Sequence, residues 1–287
     1  MSFSITVLME NTAAWEGLAA EHGLSLLVEG PDCRVLSDTG ASPRFWNNAR
    51  SMGVSLSPLD ALVLSHGHYD HTGGTAALLG EGVRPGRILL GPEFFTARYA
   101  QKGSGLAEIG AAVSRRLLET SKIPLEVVGE DPLELGRGVW AVSGFPCLEE
   151  PERPNPRLLR RRGGALEVDP FPDEAALVLE AGEDLALLSG CAHSGVVSMC
   201  RQVSARFGRP VTVFLGGTHL SDSGEERVRY TCARLRELGV RRLGACHCTG
   251  AGAMEYFAAR FPGFFPVRTG LRISLPEGTV EMAAGPV

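Results

Sequence analysis

The sequence predicts an α/β fold in which sheets and helices stack in layers. Short apolar runs bounded by glycine, proline or aspartate recur along the chain, as β-strands do. Helix-like segments stand between these runs throughout, which favours one layered α/β domain over separate classes of domain. The segment 176-ALVLEAGEDLALLSG-190 has a turn-forming centre at residues 182–184. It therefore predicts a β-hairpin and a sheet that is at least partly antiparallel.

The individual elements follow from these patterns in chain order. Strands are predicted at residues 4–9, 24–30, 33–40, 61–65, 87–91, 125–129, 138–144, 176–190 (the hairpin), 211–217 and 242–246. Helices are predicted from Phe45 to Met52, Thr75 to Leu79, Leu106 to Thr120, Gly195 to Phe207, Gly224 to Leu238 and Ala251 to Phe261. We expect residues 1–287 to form a single domain.

Composition excludes several classes of protein. With 44% hydrophobic and 21% charged residues the chain can bury a sizeable core without disulfides. Its net charge of −5 gives no reason to expect nucleic acid as a partner. The seven cysteines form no CxxC pair, the N-terminus does not resemble a secretory signal, and no apolar run approaches the ~20 residues that span a bilayer. We expect a cytoplasmic protein without a membrane partner, and a homo-oligomer stays open.

The stretch 61-ALVLSHGHYDHTGG-74 predicts a metal site. It places three of the seven histidines and one aspartate directly behind an apolar run. In an extended segment the side chains of His66 and His68 point the same way, so both can face one metal at the usual zinc–imidazole distance of ~2.0–2.1 Å. Asp70 and His71 follow at the turn. The motif therefore offers ligands for two metals rather than one.

This motif resembles the first metal motif of the metallo-β-lactamase superfamily. The resemblance extends over nearly the whole chain, because 38-DTG-40 ends a predicted strand before the motif and histidines stand at predicted strand ends after it. Together with 190-GCAHSG-195, 216-GGTHL-220 and 247-HCTG-250, the motif resembles a dihydropterin-related subgroup that is similar to methanopterin-precursor synthases. The resemblance implies an α/β fold of the four-layer αβ/βα sandwich type.

The resemblance also implies a division of the ligands. His66 and His68 are expected to bind one metal, whereas Asp70 and His71 bind the second. His193 suits the third position of the first site, and His247 suits the last position of the second site. Zinc is the expected metal, as one or two ions, with iron or manganese as alternatives.

One position departs from the family pattern. The family commonly has a bridging Asp at the end of a strand such as 185-LALLSG-190, where this sequence has Cys191. A thiolate can ligate zinc, so Cys191 is a candidate metal ligand, and a buried inert thiol is the alternative. His219 is a further imidazole for which three roles stay open: metal ligand, substrate contact or proton donor.

Several neighbours are candidates for supporting roles. We expect Asp38, at a strand end, to hold a ligand histidine through the other ring nitrogen, and Asn11 to do similar work. Cys246 and Cys248 flank His247 and should point away from the metals if the strand stays extended. Asp173 and Glu174 are interpreted as solvated loop residues, with a place at the pocket rim as the alternative.

The segment 149-EEPERPNPRLLRRRGG-164 is rich in proline and arginine. One interpretation is a solvated loop. The other is a mobile flap over the site, whose arginines meet an anionic small-molecule substrate because guanidinium pairs well with phosphate or carboxylate. The arginines concerned are Arg157, Arg160, Arg161 and Arg162.

The predicted reaction is hydrolysis with a metal-bound hydroxide as nucleophile. Asp70 is expected to orient the water and His219 to act as the acid. The substrate would be a small anionic ester, thioester, lactone or phosphoester. The alternatives are an iron-dependent oxidoreductase or dioxygenase on the same fold, a pterin-related synthase and a metal-dependent sensor. Di-iron oxidoreductases of this fold tend to carry Glu where this sequence has His68, which favours hydrolysis.

Overall fold

The structure, a computed structural model, describes residues 1–283 and is built around two facing sheets. The first sheet contains β1 (Phe3–Met9), β2 (Ser25–Glu29), β3 (Arg34–Ser37), β4 (Ala61–Leu64), β5 (Arg87–Leu90), β8 (Leu125–Val127), β17 (Leu271–Leu275) and β18 (Val280–Met282), in the order β18-β17-β1-β2-β3-β4-β5-β8. The second contains β9 (Leu133–Gly136), β10 (Val139–Ser143), β13 (Ala175–Ala181), β14 (Asp184–Ser189), β15 (Val213–Gly217) and β16 (Arg242–Cys246), in the order β16-β15-β14-β13-β10-β9.

Helices cover the outer face of each sheet. Against the first sheet pack α1 (Arg44–Ser51), α3 (Thr75–Gly80) and α4 (Arg115–Thr120), while the short α2 (Tyr69–Thr72) lies at the sheet edge. Against the second pack α5 (Val196–Phe207), α6 (Glu225–Glu237) and α7 (Ala251–Arg260). The predicted four-layer αβ/βα sandwich is confirmed. Within residues 1–283 no helix is long and apolar enough to cross a bilayer.

The strand β4 shows why the sequence gives this layering. Ala61 and Val63 belong to the core between the two sheets, whereas Leu62 and Leu64 belong to the core between the first sheet and its helices. Successive side chains of a strand point to opposite faces, so a strand that is apolar at every position has two faces to bury. A continuous apolar run such as ALVL therefore predicts a central strand covered on both sides.

The parallel strands bring the predicted site residues to one edge of the sandwich. In the first sheet β3, β4, β5 and β8 run parallel, and in the second β14, β15 and β16 do. His66 follows the carboxyl end of β4, and Cys191, His219 and His247 follow β14, β15 and β16. Open α/β sheets commonly place their ligands beyond the carboxyl ends of such strands.

A third, smaller sheet corrects two sequence predictions. It contains β6 (Arg98–Lys102), β7 (Gly105–Glu108), β11 (Leu158–Arg162) and β12 (Ala165–Val168), in the order β12-β11-β6-β7. The predicted helix from Leu106 to Thr120 is wrong over its first half, because β7 pairs with β6 and the helix begins only after Ser114, whose side chain accepts a hydrogen bond from Leu117 N. The segment 149–164 is a loop only in part, since its residues Leu158–Arg162 form β11, which pairs with β6 and β12.

Candidate metal centre

The HxHxDH motif forms a tight turn between β4 and α2. His68 is extended, with φ −108° and ψ 151°, and the helix that follows carries Asp70 and His71. Gly67 fits between the two histidines only because it lacks a side chain: a Cβ there would lie 2.2 Å from the carbonyl oxygen of Phe94. The four motif side chains are all buried. The turn therefore directs them inward rather than to solvent.

Three imidazoles form the first candidate site. His66 Nε2 lies 3.0 Å from His68 Nδ1 and 3.3 Å from His193 Nε2. Two nitrogens that ligate one tetrahedral ion at ~2.0–2.1 Å are about 3.3 Å apart, so the spacing fits a zinc-like ion. The chemistry of the donor set fits as well. A neutral imidazole has only one N–H group, so three ring nitrogens that face one another cannot all be paired by hydrogen bonds. A cation can accept a lone pair from each of the three.

The second candidate site joins the motif to the far end of the chain. His71 Nε2 lies 3.1 Å from His247 Nε2, and Asp70 Oδ2 lies 3.3 Å from His247 Nε2 and 3.7 Å from His71 Nε2. Two imidazoles and a carboxylate suit a borderline divalent cation. The structure thus brings together all six motif and strand-end residues that were predicted as ligands, in two adjoining groups.

His22 stands beside the second group, and its sequence surroundings did not identify it as a candidate ligand. Its Nε2 lies 3.2 Å from Asp70 Oδ2, and its ring stacks on that of His247 with 4.6 Å between centroids. Unlike the others, its side chain is 56% exposed. No apolar strand run comes directly before His22, so the pattern that identified the strand-end histidines is missing there.

Two cysteine sulfurs belong to the same cluster. Cys191 Sγ lies 3.2 Å from His71 Nε2, and it also groups within 4.8 Å with ring nitrogens of His66 and of His247. Cys191 is therefore placed between the two groups of candidate ligands. The prediction that Cys248 points away from the metals is wrong. Its sulfur lies within 4.8 Å of the Cys191 sulfur and of a ring nitrogen of His247. The strand does not stay extended: residues 247–249 form a 3₁₀ turn.

His219 lies apart from both groups of donor atoms. Among the described residues, the clusters whose donor atoms lie within 4.8 Å of one another do not include it. Its ring instead lies next to that of His193, with centroids 4.3 Å apart. It also borders a cleft whose lining includes residues of both candidate ligand groups. Burial lowers the pKa of His219. This position suits contact with a substrate better than ligation.

Asp38 holds the HxHxDH motif through hydrogen bonds. Its carboxylate accepts hydrogen bonds from Ser65 N, from Ser65 Oγ and from His71 Nδ1, each at 2.7 Å. The bond to Nδ1 leaves His71 Nε2 to face the second site and fixes the tautomer of the ring. The prediction that Asp38 holds a histidine of the cluster is confirmed.

The N-terminal strand holds His247 in the same manner. Asn11 Oδ1 lies 3.0 Å from His247 Nδ1, Asn11 Nδ2 donates to the carbonyl of His247, and Glu10 Oε1 accepts from His247 N at 2.8 Å. The prediction for Asn11 is confirmed. Glu10 was missed, because only the fold brings residue 10 next to residue 247.

Asp173 and Glu174 are not solvated loop residues, and that interpretation is wrong. Both are buried at the start of β13, with exposures of 0% and 1%. Asp173 Oδ2 accepts from Gly67 N at 2.7 Å, and Glu174 accepts from the backbone N–H of His193 and of Ser194 at 2.6 and 2.7 Å. These two carboxylates therefore orient the backbone of both loops that carry the first site.

Arg98 compensates the buried charge of this network. Its Nε lies 2.6 Å from Asp169, and its Nη2 lies 2.6 Å from Asp173. All three side chains are at most 1% exposed. The paired arrangement matters because an unpaired charge at such depth is strongly unfavourable.

The electrostatics of the cluster favour a cation. Burial lowers the pKa of His68 to about 3 and that of His247 to about 4, so both rings are neutral, the form that ligates metals. Burial also acts to lower the pKa of His71, but the carboxylates of Asp38 and Asp70 outweigh it and raise the value to about 9. The two carboxylates that stabilise this proton would likewise stabilise a metal cation, which on binding would displace the proton from His71 Nε2.

Two clefts open onto the cluster. A small one of about 170 Å³ is lined by His68, Asp70, Cys191 and residues of the small sheet. A larger one of about 490 Å³ is bordered by His193 and His219 on one side and by residues 151–157 on the other. The prediction that the 149–164 segment borders the site is thus confirmed for residues 151–157.

The four arginines of that segment have different surroundings. Arg157 lines the larger cleft, where it pairs with Asp222. Arg160 is buried and held by Glu93 and Glu167, both at 2.7 Å, and Arg161 stacks on Tyr99. Of these four arginines only Arg157 is among the residues that line the larger cleft, and contact of the others with a substrate stays a prediction.

Glu152 ties the segment to the second half of the chain. Its carboxylate is 2% exposed and accepts from Val197 N and Ser198 N at the start of α5, and from Arg227. A carboxylate is favourable at a helix N-terminus because the free N–H groups there carry partial positive charge. This anchored arrangement differs from the mobile flap that was one interpretation of the sequence.

The αβ/βα sandwich and the two His-rich groups at its edge define a class of metalloprotein. Residues 19–207 match the family model of the metallo-beta-lactamase superfamily, and the chain belongs to that superfamily. Membership of this superfamily, together with the groups of His, Asp and Cys donors, implies binding of divalent metal.

Among individual proteins, the chain is 29% identical to 7,8-dihydropterin-6-methyl-4-(beta-D-ribofuranosyl)-aminobenzene-5'-phosphate synthase of Methanocaldococcus jannaschii, over 91% of this chain and 92% of that one. It is similar to the crystal structure of Tm1679, described as a metal-dependent hydrolase of the beta-lactamase superfamily, with a TM-score of 0.82 and 28% identity over 94% of this chain and 98% of that one. Zn(2+)-bound PqqB from Methylobacterium extorquens shares the fold, with a TM-score of 0.59 and 15% identity over 94% of this chain and 99% of that one. The resemblance inferred from the motifs is confirmed.

Proposed function

We propose that this chain is a metal-dependent hydrolase with a dinuclear centre. His66, His68 and His193 would hold the first ion. Asp70, His71 and His247 would hold the second, and Cys191 would stand between the two. The observation that carries the proposal is the convergence of donor atoms from both sheets into two adjoining groups. Zinc is the proposed metal, with iron or manganese as alternatives.

When bound, such ions lower the pKa of a water molecule and polarise a carbonyl or phosphoryl oxygen. The residues of the chain then divide the remaining work. Asp70, whose Oδ2 is turned toward the second group, orients the attacking water. His219 stands at the junction of the two clefts and is the proposed proton donor to the leaving group; because burial lowers its pKa, it donates from the fraction of the rings that is protonated. Buried surroundings strengthen both effects because they exclude bulk water.

The larger cleft suits a small anionic substrate. Its wall carries Arg153, Arg157 and Arg227, and guanidinium groups pair well with carboxylate and phosphate. Arg157 is 53% exposed, so it can exchange Asp222 for a substrate anion without a large desolvation cost. An ester, thioester, lactone or phosphoester with a negative charge next to the scissile bond fits this arrangement.

A screen of the zinc-loaded protein against generic ester, thioester, lactone and phosphodiester substrates tests the proposal. We expect turnover of at least one class, loss of that turnover with a chelator, and its recovery on adding zinc. The His68→Ala variant serves as the control for contaminating hydrolases and should be inactive. No turnover of any class by a protein that carries two zinc ions would contradict the hydrolase assignment.

A pterin-related synthase is the second candidate function. The 29% identity to the dihydropterin-related synthase over 91% of this chain favours it. Iron-dependent redox chemistry is the third, and it would require a coloured, redox-active iron protein, whereas a colourless zinc protein supports hydrolysis.

All seven cysteines are free thiols, which agrees with the reducing cytoplasm as the proposed compartment.

A further inference from the structure

Cys248 occupies a position that the hydrolase proposal does not use. β16 ends at Cys246, the backbone then adopts φ +54° at His247, and the following 3₁₀ turn swings the next side chain inward. As a result Cys248 Sγ lies 3.6 Å from the carbonyl oxygen of Cys191 and within 4.8 Å of both the Cys191 sulfur and a ring nitrogen of His247. Cys248 is 8% exposed and lines the small cleft next to Asp70.

The space for this sulfur is provided by a glycine. Gly217 is the last residue of β15, and a Cβ at that position would lie 2.5 Å from Cys248 Sγ. The same Cβ would lie 2.6 Å from the carbonyl oxygen of Gly190, which accepts a hydrogen bond from Gly217 N. Three strand ends, those of β14, β15 and β16, therefore meet closely enough to hold two thiols and an imidazole together.

We propose that Cys248 is a ligand of the second metal site, which thereby holds two sulfur donors, Cys191 and Cys248, beside His247. The inference rests on the dinuclear centre proposed above. On binding, the S–H bond of each thiol breaks, a sulfur–metal bond forms and the proton passes through the small cleft to solvent. Two thiolates supply two negative charges, one more than the bridging carboxylate that the family commonly has. Sulfur donors also favour zinc over manganese or magnesium at this site.

Cobalt(II) loading of the full chain under anaerobic, reducing conditions tests the inference. Thiolate ligands give bound cobalt an intense near-ultraviolet charge-transfer absorption, which imidazole and carboxylate do not. We expect this absorption in the native chain, and its reduction to about half per bound cobalt in Cys248→Ser and in Cys191→Ser, since two sulfurs share the site. Cys246→Ser is the matched control, because that thiol neighbours His247 but packs in the core between the sheets.

The outcomes separate the two proposals. Two cobalt ions per chain with an unchanged band in Cys248→Ser would overturn the sulfur ligand and leave the dinuclear centre intact. A native chain that binds no cobalt would contradict the centre itself and this inference with it. Should Cys248→Ser not fold, ¹¹³Cd NMR of the native chain counts the sulfur donors directly. A resonance in the two-thiolate range supports the inference, and one in the range of a single thiolate or none overturns it.

Discussion

His68 belongs to the proposed first metal site, and its position there can be tested on its own. Its Nδ1 faces His66 Nε2 at 3.0 Å, and the extended backbone before α2 fixes that direction. We expect His68→Ala to lower bound zinc from two ions to about one per chain, because two imidazoles bind zinc much more weakly than three. Metal analysis of the purified variant measures this. Unchanged stoichiometry would remove His68 from the ligand set, and His219→Ala, which alters an imidazole outside both groups, is the control.

Asp38 is hydrogen-bonded to His71, a ligand of the proposed second site. We expect Asp38→Asn to weaken binding at the second site by about 10–100-fold, because an amide cannot accept bonds from Ser65 and His71 as the carboxylate does. Competition with a chromogenic chelator measures the affinity. Asp60→Asn is the matched control, since Asp60 also accepts a backbone N–H bond but lies on the surface. Equal affinities in the two variants would count against the role of Asp38.

At the residue scale, some site residues could be predicted from the sequence and others could not. The histidines that follow apolar strand runs could be identified, because strand ends in this class of fold converge. Glu10, Asp173 and Glu174 could not, since an isolated carboxylate near a turn resembles a solvated one until the fold brings a distant N–H group to it. Cys248 was misplaced because its direction depends on one backbone rotation at His247.

At the scale of elements, the short segment before β11 determines which charge faces the large cleft. We expect Arg157→Ser to raise KM for an anionic substrate while sparing a neutral ester of the same class, because only the anion loses its guanidinium partner. Steady-state kinetics on the two substrates measure the difference. Arg162→Ser is the matched control, because Arg162 lies at the exposed end of β11, outside the residues that line the cleft. Equal effects on both substrates would contradict a binding role for Arg157.

The small sheet was the element least accessible to prediction. β6 pairs with β11, some sixty residues further along the chain, and neither strand has an alternating apolar pattern. Such strands are specified by their distant partner rather than by their own composition. By contrast β4, β14 and β15 have continuous apolar runs and were placed to within two residues.

For the whole molecule, the proposed metal centre would join the two halves of the sandwich. His66, His68 and His71 follow a strand of the first sheet, whereas His193 and His247 follow strands of the second. An ion held by both halves binds only the folded chain, so zinc at a hundred times its dissociation constant should add about 2.7 kcal/mol to the free energy of unfolding. Thermal unfolding with zinc and with chelator measures the shift, which we expect to be several degrees upward with zinc. His68→Ala should show a smaller shift, and an equal one would contradict the bridging arrangement.

The position of β1 between β2 and β17 has a consequence for biosynthesis. A ribosome that has made residues 1–240 has already synthesised the three histidines of the first candidate site, yet neither β17 nor His247 exists at that stage. Glu10 and Asn11 can then bond only to nearby residues, because His247 is translated more than two hundred residues later. The residues of the proposed first site are therefore all synthesised before those of the proposed second site, which needs His247.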